Sequence, residues 1–269
     1  MRVPVGEVST RSGVLIEGPA GWGECSPLPS WDAEQRAAAE RAAIEAATLG
    51  FPEPVRDAVE VNAMVPRVAP SEAARIASAS GCRTIKIKVG DPGSVERVRA
   101  VREALPDVLI RLDANASWDP ETAALAMSQL LPFEIELVED PIAGTMEDLA
   151  RFRRGSSVLI AAESCVRTIA DARRLRTLGA ADVLVVKPQR IGGIRAALAA
   201  AAESKLPAIA SSALETSVGL SAVLAVAAVL PDAPFAHGVG TAQLLDGDVT
   251  DEPLIPIDGR LEPRRVVVR

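Results

Sequence analysis

Thr84-Ile-Lys-Ile-Lys-Val-Gly90 is the stretch on which the reading of the fold turns. In an extended segment alternate residues share a face, so Lys86 and Lys88 point one way and Ile85, Ile87 and Val89 the other. Taken alone, the segment reads as an edge strand whose lysines face water and discourage strand-to-strand aggregation. What lies downstream replaces that reading. Asp113, in Leu109-Ile-Arg-Leu-Asp-Ala-Asn115, follows Lys88 after 25 residues, and Glu139, in Ile135-Glu-Leu-Val-Glu-Asp-Pro141, follows after 26 more. Steps of 24 residues then reach Glu163, ending Val158-Leu-Ile-Ala-Ala-Glu163, and Lys187, ending Val183-Leu-Val-Val-Lys187. Each charged residue closes a short apolar run, and a helical-looking segment separates successive runs. That period is the length of a β/α unit. If the units close into a barrel, all five residues lie at the C-terminal mouth of successive strands, where barrel enzymes keep their chemistry.

The 269 residues suit one α/β barrel with a small addition, and 48% apolar composition is ample for its core. Alanine and valine replace aromatics, as expected of parallel strands buried on both faces under small-residue helices. A net charge of −7 with mixed signs argues against nucleic acid or an anionic membrane as the main partner. Arg151-Phe-Arg-Arg154, the one basic cluster, falls where a helix should end and suits its dipole. No basic-then-apolar leader follows Met1, so a cytoplasmic location is expected. Val218 to Leu230, the longest apolar stretch, is too short to span a bilayer and reads as a buried helix. Cys25, Cys82 and Cys165 have no paired spacing and read as reduced thiols. His237 is the single histidine, which argues against zinc hydrolases that need several imidazoles and against a serine–histidine triad.

Residues 1 to about 58 stand outside the repeat and predict a small α+β capping element. Glu7-Val-Ser-Thr and Gly13-Val-Leu-Ile-Glu-Gly18 resemble short strands, Gly18 to Glu24 a turn-rich loop, and Ala33 to Leu49 a helix capped by Asp32 and stopped at Gly50. Residues 59–248 hold the repeat. Val59 to Val65 is its first strand, Pro207 to Ser212 its seventh and Phe235-Ala-His237 its eighth, with about seven helices between. Helix starts are legible at Ser71, Asp119-Pro120, Thr145 and Thr168. The tail, 249–269, is expected to return to the N-terminal element.

Asp113, Glu139 and Glu163 on consecutive strands would repel unless a cation sat among them. Oxygen ligands without histidine select Mg²⁺ or Mn²⁺. Lys86 and Lys88 would flank the ion on one side and Lys187 on the other. A lysine titrates near 10.4, and serving as a base at neutral pH means lowering it by about three units, on the order of 4 kcal/mol. A divalent ion and neighbouring ammonium groups supply that pressure. Such a site suits proton removal from a carbon next to a carboxylate, with the ion holding the enediolate. The residues alone do not choose among racemisation, cycloisomerisation and elimination.

Lys-x-Lys, Asp-Ala-Asn, Val-Glu-Asp-Pro, a fifth-strand carboxylate and Val-Lys-Pro, in this order, resemble the muconate-lactonizing subgroup of the enolase superfamily. Gly18-Pro-Ala-Gly-Trp-Gly-Glu-Cys-Ser-Pro27, Ser80 to Lys88, Lys187-Pro-Gln-Arg-Ile-Gly-Gly193, Ser211 to Gly219 and Gly238-Val-Gly-Thr241 are similar, within it, to the short o-succinylbenzoate synthases of actinobacteria. The resemblance covers nearly the whole chain. It implies an α/β fold, a (β/α)7β barrel under a small α+β cap, with Mg²⁺ at Asp113, Glu139 and Glu163. It also implies a small carboxylate substrate and syn dehydration of 2-succinyl-6-hydroxy-2,4-cyclohexadiene-1-carboxylate in menaquinone synthesis, by a monomer or small homo-oligomer. By the same resemblance Lys88 removes the proton and gives it to the departing hydroxyl, while Lys187 stabilises the enediolate from the other side of the ring. Lys86 and Arg111 would neutralise carboxylate charge, and Ser211, Ser212 and the Gly238 loop would meet the succinyl arm.

One position departs from the pattern. The family usually has Asp-Glu-Ser at the fifth strand, where this chain has Ala162-Glu-Ser-Cys165; ungapped, Glu163 takes the aspartate's place, one methylene longer, and the alternative alignment puts Ala162 there and leaves no third ligand. Two rivals use the same residues. An N-succinylamino acid racemase or dipeptide epimerase would use Lys88 and Lys187 as opposed bases, and a non-catalytic barrel would only bind a carboxylate.

Overall fold

The computed structural model describes every residue except Val3 and Glu7. The strand expected at Glu7 to Thr10 thus falls partly outside the described residues; Val8 forms an isolated antiparallel bridge to Val5. Strands β1 (Val14–Gly18) and β2 (Gly21–Cys25) make an antiparallel hairpin. The loop expected through Glu24 is therefore mostly strand, with its turn confined to Pro19 and Ala20. Glycine is required at Gly23, where a Cβ would lie 2.0 Å from the Ala43 carbonyl oxygen of the next helix. That helix, α1 (Ala33–Thr48), starts at a reciprocal cap: Asp32 accepts from the Gln35 amide and the Gln35 side chain accepts from the Asp32 amide. Its buried alanines, Ala39, Ala43 and Ala47, let hairpin and barrel approach closely.

The strand expected at Val59 to Val65 is divided. β3 (Val59–Glu60) pairs antiparallel with β11 (Arg260–Leu261), so the tail returns to the start of the barrel. β4 (Asn62–Val65) opens a parallel sheet that continues in chain order through β5 (Thr84–Lys88), β6 (Leu109–Asp113), β7 (Ile135–Glu139), β8 (Leu159–Ala162), β9 (Val183–Val186) and β10 (Ala208–Ala210). The eighth strand is reduced to two parallel bridges, Val61 with His237 and Ser211 with Gly238, which join the two edges of the sheet. Between the strands run α2 (Pro70–Ala79), α3 (Ser94–Ala104), α4 (Pro120–Leu130), α5 (Met146–Arg154), α6 (Ile169–Leu178), the short α7 (Pro188–Ile191), α8 (Ile194–Ser204) and α9 (Ser217–Val229). Asp119, Thr145 and Thr168 cap their helices as the sequence indicates. The short α7, which turns the chain back just after Lys187, is not among the helices expected from the sequence.

Strand alternation sorts the core into two layers. Ile85, Ile87, Ile110, Leu112, Val138 and Ile160 face outward and pack with Ala73, Val98, Val101, Leu130 and Leu175 of the helices. Each full burial of such an aliphatic chain is worth about 1.5–3 kcal/mol. The opposite parity faces inward, where Leu137, Ala161, Val183, Val185 and Ile209 form a second, smaller cluster beneath the mouth. No helix among the described residues is long and apolar enough to cross a membrane.

Candidate active site

Register places the charged residues. Lys88 pairs with Asp113, Asp113 with Glu139, and Glu139 with Ala161, two residues before Glu163. Lys86 Nζ lies 2.9 Å from both Asp113 Oδ2 and Glu139 Oε2. Lys88 Nζ donates to Asp113 Oδ2 at 2.7 Å and to Asn115 Oδ1 at 2.8 Å. On the other side Glu163 accepts from Lys187 Nζ at 3.0 Å and from Arg190 Nη1 at 2.8 Å. The sequence-predicted lysines and carboxylates therefore come together as two adjoining ion-pair groups, their carboxylates buried and Lys88 and Lys187 half-buried.

The two lysines of β5 have opposite electrostatic positions. For Lys86, burial favours losing the proton, but Asp113 and Glu139 outweigh it and hold the ammonium above its ordinary value. For Lys88, burial is the largest influence and lowers its pKa; Asp113 opposes, while Lys86 and Lys187 lower it further. Lys88 is thus the lysine on this strand that holds its proton less tightly, the direction a base requires. Lys187 is held above its ordinary value by Glu163 and Glu139 against the effect of burial.

The donor set fits a hard divalent ion: three carboxylates, all buried, at the ends of neighbouring strands. As they stand, ammonium and guanidinium groups occupy their oxygens, and among the described residues no three acidic, histidine or cysteine side chains converge for an ion. Asp113, Glu139 and Glu163 are the residues that would hold such an ion, and it would add positive charge beside that of Lys86. Asp140, next to Glu139, fixes the backbone beyond the fifth strand by accepting from the Glu163 and Ser164 amides at 2.9 and 2.8 Å. Burial, Glu163 and Glu139 push its carboxyl up to about 7.

Over the cluster opens a cavity of about 490 Å³. Lys86, Lys88, Asp113 and Lys187 line its floor, Ser211, Ser212, Gly238 and Thr241 one wall, Asn62, Met64 and Arg67 another, and Val5, Val8 and Leu28 of the N-terminal segment close over it. Gly238 sits where a Cβ would meet Ser211 Oγ at 2.6 Å, so its loop can press against the end of β10. Ser212 is committed within the protein, to Thr241 Oγ1 at 2.6 Å and to the Leu214 amide at 2.8 Å. Ser211 Oγ makes no hydrogen bond among the described residues.

Arg111, expected beside the substrate, is corrected by its depth. It lies one inward position below Asp113, is 1% exposed, and is absent from the cavity wall. Its guanidinium pairs with Glu136, donates to the Ala236 carbonyl at 2.6 Å and lies over the Phe235 ring.

Sequence reasoning missed Arg190 and Glu24. Arg190 reaches Glu163 because α7 turns the chain straight after Lys187; Pro188 at its first position was the available signal. Glu24, on β2, is buried at the barrel, where it accepts from Ser26 Oγ at 2.6 Å, the Thr216 amide and hydroxyl, and the Gly219 amide at 2.8 Å. It stands at the N-terminus of α9, where a carboxylate is favoured, and pins the segment 211–216 that walls the cavity.

Residues 1–47 match the family model described as enolase N-terminal domain-like, and 69–266 that described as enolase C-terminal domain-like. The chain belongs to the enolase superfamily. Among its curated superfamily relatives, an o-succinylbenzoate synthase of Thermobifida fusca is 49% identical over 97% of this chain and 84% of its own. One of Mycobacterium marinum is 42% identical over 99% of this chain and 83% of its own. Superfamily members of known structure share the fold: a dipeptide epimerase of Enterococcus faecalis, TM-score 0.83 at 22% identity, covers 99% of this chain and 95% of its own. A 2-chloromuconate cycloisomerase of Rhodococcus opacus, TM-score 0.85 at 21% identity, covers 96% and 89%.

Proposed function

We propose that this enzyme dehydrates 2-succinyl-6-hydroxy-2,4-cyclohexadiene-1-carboxylate to o-succinylbenzoate, a step in making menaquinone, in the cytoplasm. The observation that carries the reading is geometric: Lys88 and Lys187 line the floor of one cavity beside Asp113, with the Lys88 pKa lowered by burial and by Lys86 and Lys187. Relatives named for this reaction at up to 49% identity support the substrate.

In this reading Lys88 Nζ takes the proton from the ring carbon bearing the carboxylate. It returns that proton to the hydroxyl on the adjacent carbon as the C–O bond breaks; water leaves and the ring becomes aromatic. One lysine serving both steps accounts for syn geometry. Lys187, kept protonated by Glu163, faces the ring from the other side and stabilises its negative charge. Asp113, Glu139 and Glu163 would hold Mg²⁺ or Mn²⁺, which when bound supplies electrostatic stabilisation of charge developing on the substrate carboxylate. Lys86 balances the carboxylates, Asn115 holds Lys88, and Ser211, with its free hydroxyl, meets the succinyl arm beside Gly238. Residues 1–58 form the cap and 59–248 the catalytic barrel, with the tail 249–269 returning to pair at Val59–Glu60, where the two meet.

The test is a Mg²⁺-dependent conversion assay on the parent and Lys88→Ala. Turnover in the parent and a loss of at least about a thousandfold in the variant are expected. Exchange of the Cα proton of N-succinyl amino acids with solvent deuterium, without dehydration, would establish the racemase reading instead.

A further inference from the structure

The lysines lining the cavity are each within ion-pair distance of Asp113, Glu139 or Glu163. Arg67, the remaining cation of the cavity wall among the described residues, is not. It stands just past the end of β4, between the Gly238 side of the barrel and the β5 strand that carries Lys88. Its Nε and Nη2 both donate to the Val89 carbonyl, at 3.2 and 2.7 Å. Nη1 makes no hydrogen bond among the described residues. The acid beside it, Asp91, is 3.9 Å away and already accepts from Arg97 Nη1 and Nη2 at 3.0 and 2.8 Å. Arg67 therefore has one long ion pair, to an acid that Arg97 already holds more closely, and is kept in place through one edge of its guanidinium while Nη1 remains available.

Resting on the synthase reading, a substrate with two carboxylates has one at the lysine cluster and one at the end of a flexible arm. We propose that Arg67 binds this second, distal carboxylate and so selects dicarboxylates over their monocarboxylate counterparts. Its anchoring to Val89 means that little side-chain freedom is lost on binding, which favours affinity. Because the site is on the rim and 36% exposed, the gain is modest, about tenfold, and falls with salt. The interaction is the same before and after the proton moves, so it acts on binding and not on the chemical step.

The test compares o-succinylbenzoate with 2-butanoylbenzoate, which replaces the distal carboxylate by a methyl group, as ligands of the parent, Arg67→Met and Arg67→Lys. Calorimetry reads binding whether or not the protein turns over. The parent is expected to prefer the succinyl compound about tenfold, Arg67→Met to lose the preference, and Arg67→Lys to keep part of it. In turnover, Arg67→Met is expected to raise KM about tenfold with kcat within twofold. A preference that survives Arg67→Met overturns the proposal. So does equal weakening of both ligands, which would assign Arg67 the structural task of tethering Val89. A parent that binds both ligands without dehydrating the cyclohexadiene acid overturns the synthase reading and leaves the binding comparison to decide on Arg67.

Discussion

Two layers of buried charge occupy the inside of this barrel, one above the other, and their makeup differs. In the lower layer Arg111 has one acidic partner, Glu136, together with the Ala236 carbonyl and the Phe235 ring. In the upper layer Lys86, Lys88, Lys187 and Arg190 crowd around Asp113, Glu139 and Glu163 beneath an open cavity. Charge matched one to one, with no cavity beside it, fixes the structure. Charge crowded beside a cavity leaves Lys88, lowered first by burial and then by Lys86 and Lys187, as the member of the layer that gives up its proton most readily.

The contrast breaks first at Arg111. Arg111→Met should cost about 3 kcal/mol of stability by leaving the half-buried Glu136 without its cation, measured by denaturant unfolding. Adding Glu136→Leu should recover most of it, and kcat of the folded enzyme should stay within a few-fold. A hundredfold fall in kcat at unchanged stability would move Arg111 into the catalytic layer.

His237 sharpens the comparison through pH. Burial, then Arg56 and Arg111, lower its pKa from 6.5 to about 4, so the folded protein holds it neutral while the unfolded chain binds a proton. Its contribution is fully present above pH 6.5 and is lost as pH falls toward 4, by up to about 3 kcal/mol. His237→Asn should flatten this part of the stability profile; an unchanged slope would assign it to the carboxylates above.

The smallest effect is expected at the upper layer's irregular member. Glu163→Asp should raise Mg²⁺ affinity by no more than about tenfold, read by calorimetry, because the shorter side chain releases Arg190 and Lys187 more readily. Weaker binding would show that the longer reach of glutamate is needed at this position.

Period and parity made the upper layer legible. A charged residue closing an apolar run every 24–26 residues gives both the barrel and the strand ends, and Lys86, Lys88, Asp113, Glu139, Glu163 and Lys187 assemble accordingly. Parity gives the face of a strand and not the depth, so Arg111 and Asp113 looked equivalent although only one meets the cavity. The partner of Arg111 was hidden for a related reason. A register shift between β6 and β7 inserts Glu136 as an extra residue and turns it toward Arg111, and no sequence pattern marks such a bulge. Arg190 and Glu24 act across loops and between the hairpin and the barrel, contacts that local periodicity does not encode.

The bridges at His237 and Gly238 carry a consequence for breathing. Where other neighbouring strands share ladders, the seam closes through the amides of Asn62, His237, Ser212 and Gly238, with bonds of 2.7 to 3.0 Å to Glu60, Ala210, His237 and Gly238. So short a ladder is the least cooperative part of the sheet, and its local opening should need far less free energy than global unfolding. Because Asn62, Ser212 and Gly238 also wall the cavity, a ligand spanning them would act as a rung across the gap, and occupancy would be felt as slower amide exchange along both edges of the seam.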